Sequence, residues 1–129
     1  MKVLIVDDSA MMRKVVERAL RQAGLNLTEV IQASNGAEAL VVLREVASGD
    51  AAFDLIMSDI NMPVMDGLEF IEQRKKEGLA SGVPAVMITT EGSSPNVMRA
   101  LAAGAKGYIC KPFTTDQIKA CVMPLLNAA

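Results

Sequence analysis

Five short apolar runs alternate along this chain with five longer segments whose apolar residues recur at helical spacing, and few folds tolerate that alternation. The runs are Lys2–Val6, Glu29–Ala33, Leu55–Ser58, Ala85–Ile88 and Gly107–Cys110. Each is too short for a stable helix and reads as a buried strand. After the first run, Met12, Val15, Val16, Ala19, Leu20 and Ala23 mark one helical face, with Ser9 to cap the helix and Gly24 to end it. Asn35-Gly36-Ala37-Glu38 has capping-box spacing and predicts a helix to about Val46. Asp66-Gly67-Leu68-Glu69 opens a third helix that Gly78 can end, and Ser94-Pro95 opens a fourth that Gly104 can close. Thr114-Thr115-Asp116-Gln117 opens the last, with Ile118, Cys121, Val122 and Leu125 on one face. Pro124 should kink or end that helix.

Strand–helix alternation predicts an α/β fold: a five-stranded parallel sheet, doubly wound in the order 2-1-3-4-5, with helices on both faces. At 129 residues the chain is one domain, residues 1–129, with nothing left over for an output domain. The start at Met1 and the end just past the fifth helix favour a complete protein. An apolar fraction of 51% supplies a core, and a net charge of −2 argues against a nucleic-acid surface. No stretch approaches the roughly 18 to 20 apolar residues of a membrane span, and Lys2 followed by Asp7-Asp8 fits no secretory signal, so the expected location is cytoplasmic. Cys110 and Cys121 read as two buried thiols. The chain has no histidine, which removes Ser-His-Asp catalysis, histidine metal ligands and any phosphohistidine of its own.

Four of the runs end in polar residues suited to phosphoryl chemistry: Asp7-Asp8, Asp59, Thr89 and Lys111-Pro112. In the order 2-1-3-4-5 those four strands are neighbours, and their carboxyl ends share the edge where open α/β sheets bind ligands. Carboxylates so close repel by about 4 kcal/mol per pair at 4 Å and an effective dielectric of 20, so the cleft calls for a cation, and oxygen ligands point to Mg²⁺. Asp59 is the candidate nucleophile, forming an acyl phosphate. Asp8, Asp59 and the Asn61 carbonyl can supply metal oxygens, and Asp7 can reach the metal through water. Lys111 can neutralise phosphoryl charge, Thr89 can donate to a phosphate oxygen, and the Lys111-Pro112 bond can adopt cis. Taken singly, each is more simply a helix cap, a loop carboxylate, a polar strand end or a surface lysine; their placement at one edge reverses the balance. Met57, Met62 and Met65 read as packing rather than ligands.

On Asp7-Asp8-Ser9, Ser58-Asp59-Ile60-Asn61-Met62-Pro63 with Met65-Asp66-Gly67, Thr89, and Lys111-Pro112-Phe113, the chain resembles response-regulator receiver domains over its whole length. The resemblance implies that Asp59 is the phosphoacceptor, that Asp7 and Asp8 are the acid pair holding Mg²⁺, and that Thr89 and Lys111 sense the phosphate. It makes Tyr108 the switch aromatic and implies a two-component signalling switch rather than an enzyme. The donor is a sensor histidine kinase, and a downstream protein docks on the face of helix 4, strand 5 and helix 5, where Arg99 and Lys119 are candidate exposed charges. A monomer that can dimerise on activation is expected.

Asn61, Glu91 and Lys111-Pro112-Phe113-Thr114 resemble the single-domain chemotaxis regulators of the CheY type, in which Asn61 and Glu91 would tune dephosphorylation. Ile60 departs from that subtype, which often carries tryptophan there. The departure leaves the chemistry intact, with a flagellar-motor role and other signalling both open. The alternative from another class is a Mg²⁺-dependent phosphatase with an aspartyl nucleophile. Such enzymes usually place an Asp-x-Asp after strand 1 and carry a cap domain, whereas Asp7 and Asp8 are adjacent. A flavodoxin-like cofactor binder ranks low because the acid pair would repel phosphate, and an interaction module keeping only the fold ranks low because the site residues are all present.

Overall fold

Parallel pairing dominates the backbone, as the alternation requires. The computed structural model describes residues 1–46, 53–80, 82–90 and 95–127. The strands are β1 (Lys2–Val6), β2 (Glu29–Ala33), β3 (Leu55–Asp59), β4 (Ala85–Thr89) and β5 (Gly107–Cys110). The helices are α1 (Ala10–Gln22), α2 (Gly36–Val46), α3 (Gly67–Glu77), α4 (Pro95–Ala102) and α5 (Thr115–Asn127). One sheet runs in the order β2-β1-β3-β4-β5, all neighbours parallel. β3 and β4 each extend one residue past the apolar run. Asp59 pairs with Ile88 and Thr89 with Cys110, so these polar residues are the last rungs of the ladder rather than the first of the loops.

Strand alternation divides the core in two. Leu4, Val6, Ile56 and Met87 pack on one face against Leu40 and Leu43 of α2, Phe70 and Ile71 of α3, and Ala100 of α4. Val3, Ile5, Met57 and Ile88 pack on the other against Val16 and Leu20 of α1 and Ile118 and Val122 of α5. At about 1.5–3 kcal/mol per fully buried aliphatic side chain, these two layers supply the main force holding the sheet edges in place.

Helix ends follow their local signals. Ser9 Oγ accepts from Met12 N–H at 3.2 Å, and Asp66 Oδ1 accepts from Glu69 N–H at 2.9 Å. Thr114 and Gln117 form a reciprocal box at 2.8 and 3.1 Å. At α2 the box is displaced: Asn35 Oδ1 accepts from Glu38 N–H, but Glu38 reaches back to Ser34 N–H. Gly78 ends α3 at φ 68°, a conformation that costs a Cβ-bearing residue about 1–2 kcal/mol. The predicted cap Ser94 lies outside the described residues.

Two expectations need correction. α5 does not end at Pro124 but runs to Asn127. The proline removes only the bond to Ala120, and both residues are exposed, so water can satisfy that carbonyl. Nor are the cysteines two buried thiols: Cys121 is half-buried and Cys110 is exposed, because β5 is an edge strand with one side of its register turned outward.

Candidate functional site

β1 delivers Asp7 to the edge of the sheet with its backbone already committed. Its N–H donates to Ala33 O at 3.1 Å, and its carbonyl accepts from Arg13 Nη1 of α1 at 2.6 Å. The side chain is 2% exposed, and its Oδ1 accepts from Ser9 N–H at 2.8 Å. Its Oδ2 is the one buried side-chain atom without a hydrogen-bond partner among the described residues. That oxygen lies 3.7 Å from Lys111 Nζ.

β3 delivers Asp59 beside it. The residue is 6% exposed; its Oδ1 accepts from Ile60 N–H at 2.8 Å and its Oδ2 accepts from Lys111 Nζ at 3.1 Å. Carboxylate oxygens of Asp7, Asp8 and Asp59 lie within 4.8 Å of one another, and Asp8 is exposed. Burial, first, and then the neighbouring Asp59 charge push the Asp7 carboxyl above its ordinary pKa of 3.8, while the Ser9 N–H and Lys111 pull it down. One ammonium thus faces three carboxylates. An orphaned, buried anionic oxygen within reach of two further carboxylates is a donor set that fits a hard divalent cation.

β4 and β5 complete the edge. Thr89 is buried at the end of β4, and Lys111 N–H donates to its carbonyl at 2.7 Å. The Lys111–Pro112 peptide is cis. Glycine is obligatory beneath Asp59: a Cβ on Gly67 would sit 2.1 Å from the Asp59 carbonyl oxygen. The loop between them closes with Gly67 N–H donating to Ile60 O at 2.8 Å, and Gly36 N–H of α2 holds Met65 O at 2.9 Å. Val64 is the strained residue of that loop, at φ 70° and 83% exposed.

The structure therefore brings together Asp7, Asp8, Asp59 and Lys111, with Thr89 at the end of the adjacent strand. Asn61 is exposed on the loop after β3. Tyr108 is 41% exposed on β5. Glu91 lies outside the described residues. Met57, Met62 and Met65 pack into the two cores. Arg13 was not legible as part of the site, since one arginine among the charges of α1 carries no mark of the carbonyl it will hold.

A doubly wound sheet with this acid cluster and lysine at its carboxyl edge defines a class, and comparison with known proteins names it. The chain belongs to the response regulator receiver domain family, whose model matches residues 3–123. It is 37% identical to chemotaxis protein CheY1 of Helicobacter pylori over 119 residues, covering 92% of this chain and 91% of that one. Among solved structures it is similar to Vibrio cholerae chemotaxis protein CheY4, with a TM-score of 0.80, 38% identity, and 97% and 98% of the two chains covered. It is also similar to the CheX-CheY-BeF3-Mg complex of Borrelia burgdorferi, with a TM-score of 0.81, 28% identity, and coverage of 97% and 88%. The chain is a response regulator of two-component signalling related to chemotaxis proteins, and the phosphatase alternative is not favoured. No helix among the described residues is long and apolar enough to cross a membrane.

Proposed function

We propose that Asp59 accepts a phosphoryl group from the phosphohistidine of a sensor histidine kinase and that the new charge resets a protein-binding surface. The observation that carries the reading is the contact between Lys111 Nζ and Asp59 Oδ2 at 3.1 Å beside the orphaned Asp7 oxygen. An Asp59 carboxylate oxygen bonds to phosphorus as the donor's P–N bond breaks, and the electron pair stays on the leaving imidazole. Asp7, Asp8 and Asp59, with the Asn61 carbonyl, would hold Mg²⁺, which when bound neutralises charge on the transferring group. Ile60 N–H fixes one Asp59 oxygen, leaving the other toward Lys111. Lys111 stays with the phosphoryl oxygens in the product, and the Thr89 hydroxyl donates to one of them. Tyr108 on β5 responds to the Thr89 shift, and the ensemble moves toward the form bound by the target. Asn61 and Glu91 flank the path of hydrolytic water and tune the lifetime.

The output surface is the α4–β5–α5 face, which carries the exposed Met98, Leu101 and Tyr108. The rest of the reading is a cytoplasmic, single receiver domain over residues 1–129, monomeric with dimerisation on activation, whose self-catalysed phosphotransfer serves as a switch rather than as turnover. The Borrelia relative, solved as a CheX-CheY-BeF3-Mg complex, supports both the metal and a protein partner.

Intact mass after incubation with Mg²⁺ and acetyl phosphate tests this. One phosphoryl adduct that needs Mg²⁺ and is lost in Asp59→Asn is expected. An adduct that persists in Asp59→Asn would remove Asp59 from its role.

A further inference from the structure

The opposite edge of the sheet carries a buried cation that phosphoryl transfer does not use. Arg74, in the last turn of α3, is 6% exposed, and it has no carboxylate partner among the described residues. Buried charges are ordinarily paired, because desolvating one alone is costly. Burial accordingly pulls its pKa below the usual guanidinium value. Carbonyls meet part of the need: Nε donates to Leu79 O at 3.1 Å, and Nη2 donates to Ala80 O and Val83 O, each at 2.5 Å. Nη1 donates to no described residue, yet the only buried side-chain atom without a partner among them is Asp7 Oδ2. Nη1 is therefore reached by solvent, and Arg74 lines a cavity of about 550 Å³.

That cavity lies at the amino ends of β4 and β5. Pro84 and Lys106, the residues just before those strands, line it together with Arg74, Lys75 and the glycines Gly82 and Gly104. At about 3.3 Å per residue, a five-residue strand separates it by roughly 17 Å from the carboxylates. Three cations line it and, among the described residues, no carboxylate does. The C-terminal ends of α3 and α4 also meet here, and their carbonyls would repel an anion if left open. Several are occupied: Gly78 N–H and Leu79 N–H donate to Lys75 O and Arg74 O, Ala105 N–H donates to Ala100 O, and Lys75 Nζ donates to Ala102 O at 3.3 Å. The room is genuine, since a Cβ on Gly82 or Gly104 would meet nothing within 4 Å.

We propose that this cavity is a second anion site, built for a small phosphate-type dianion and independent of the Asp59 chemistry. The class is set by the arginine's geometry. A planar carboxylate is best met by two parallel donors of one guanidinium, but Nε and Nη2 are already spent on carbonyls. What remains is single-point donation from three separate cations, which suits a tetrahedral, doubly charged group. A bound dianion supplies the counter-charge that Arg74 lacks and stabilises the folded chain by mass action.

The test is an amide-resolved NMR titration of the whole chain with inorganic phosphate, without Mg²⁺ and at ionic strength held constant with sodium chloride. Saturable shifts at Gly78, Gly82, Gly104 and Lys106, with a rise in thermal midpoint, are expected. Arg74→Met should abolish them. In case that variant fails to fold, Lys106→Glu and Gly82→Asp place a carboxylate at the cavity from exposed positions, and each should weaken binding several-fold. Shifts that never saturate, that chloride reproduces, that centre on Asp7 and Asp59, or that survive Lys106→Glu and Gly82→Asp unchanged would overturn the proposal.

Discussion

Asp7 is held by every group it has except the one that faces the cleft. Ser9 N–H takes Oδ1 and Arg13 takes the carbonyl, while Oδ2 is buried with only a distant ammonium for company. Its folded pKa is raised, and for a carboxyl that sign means the ionised form opposes folding when no cation is present. The opposition is full at pH above the raised value and is relieved as pH falls through it and the folded chain takes up the proton. In chelator-treated protein, Asp7→Asn should therefore raise the urea midpoint at neutral pH, the gain over wild type shrinking toward acid. Adding Mg²⁺ should stabilise wild type and not the variant. A variant less stable than metal-free wild type at neutral pH would refute this account. Gly67→Ala acts by contact: the new Cβ would meet Asp59 backbone rather than a movable side chain, so the loop must shift. A loss of about 1–3 kcal/mol in chemical denaturation is expected, together with slower phosphoryl uptake at saturating donor. These residues differ in how legible they were in sequence. Asp59 and Lys111 announce themselves because a polar residue closing an apolar run must sit at a strand end. Arg13 and Arg74 do not, because an arginine that holds backbone carbonyls and a solvated one leave the same mark in a helical pattern.

Elements were legible wherever their ends carry local chemistry. The Thr114–Gln117 box closes in both directions, and Thr114→Ala should cost about 1 kcal/mol, seen as a lower unfolding midpoint without loss of phosphoryl uptake. Pro124 does not end its helix because its penalty depends on its place: three residues from the end of α5, it forfeits one bond at an exposed carbonyl. Side-chain contacts between helices were not legible. Arg99 of α4 grips Glu72 of α3 through a two-point ion pair at 2.6 and 2.8 Å, and the pair depends on how the helices cross, which no pattern within either helix encodes. Both side chains are nearly half exposed, so a double-mutant cycle of Glu72→Gln with Arg99→Gln should show a coupling that fades as salt is raised.

At the scale of the whole molecule, strand order was readable because the doubly wound order makes neighbours of the four strands with polar ends and leaves the silent strand, β2, at an edge. The same order makes Tyr108 a resident of β5, an edge strand with a ladder on one side only, whereas Asp59 closes β3, which is bonded on both sides. Amide hydrogens of β1, β3 and β4 should thus wait for global unfolding before they exchange with deuterium, while those of β5 are released by smaller openings. The phosphoryl group would be received on the slowest-exchanging part of the chain and read on one of the fastest. Such a molecule can be rewired at its rim, partner by partner, without its chemistry being disturbed.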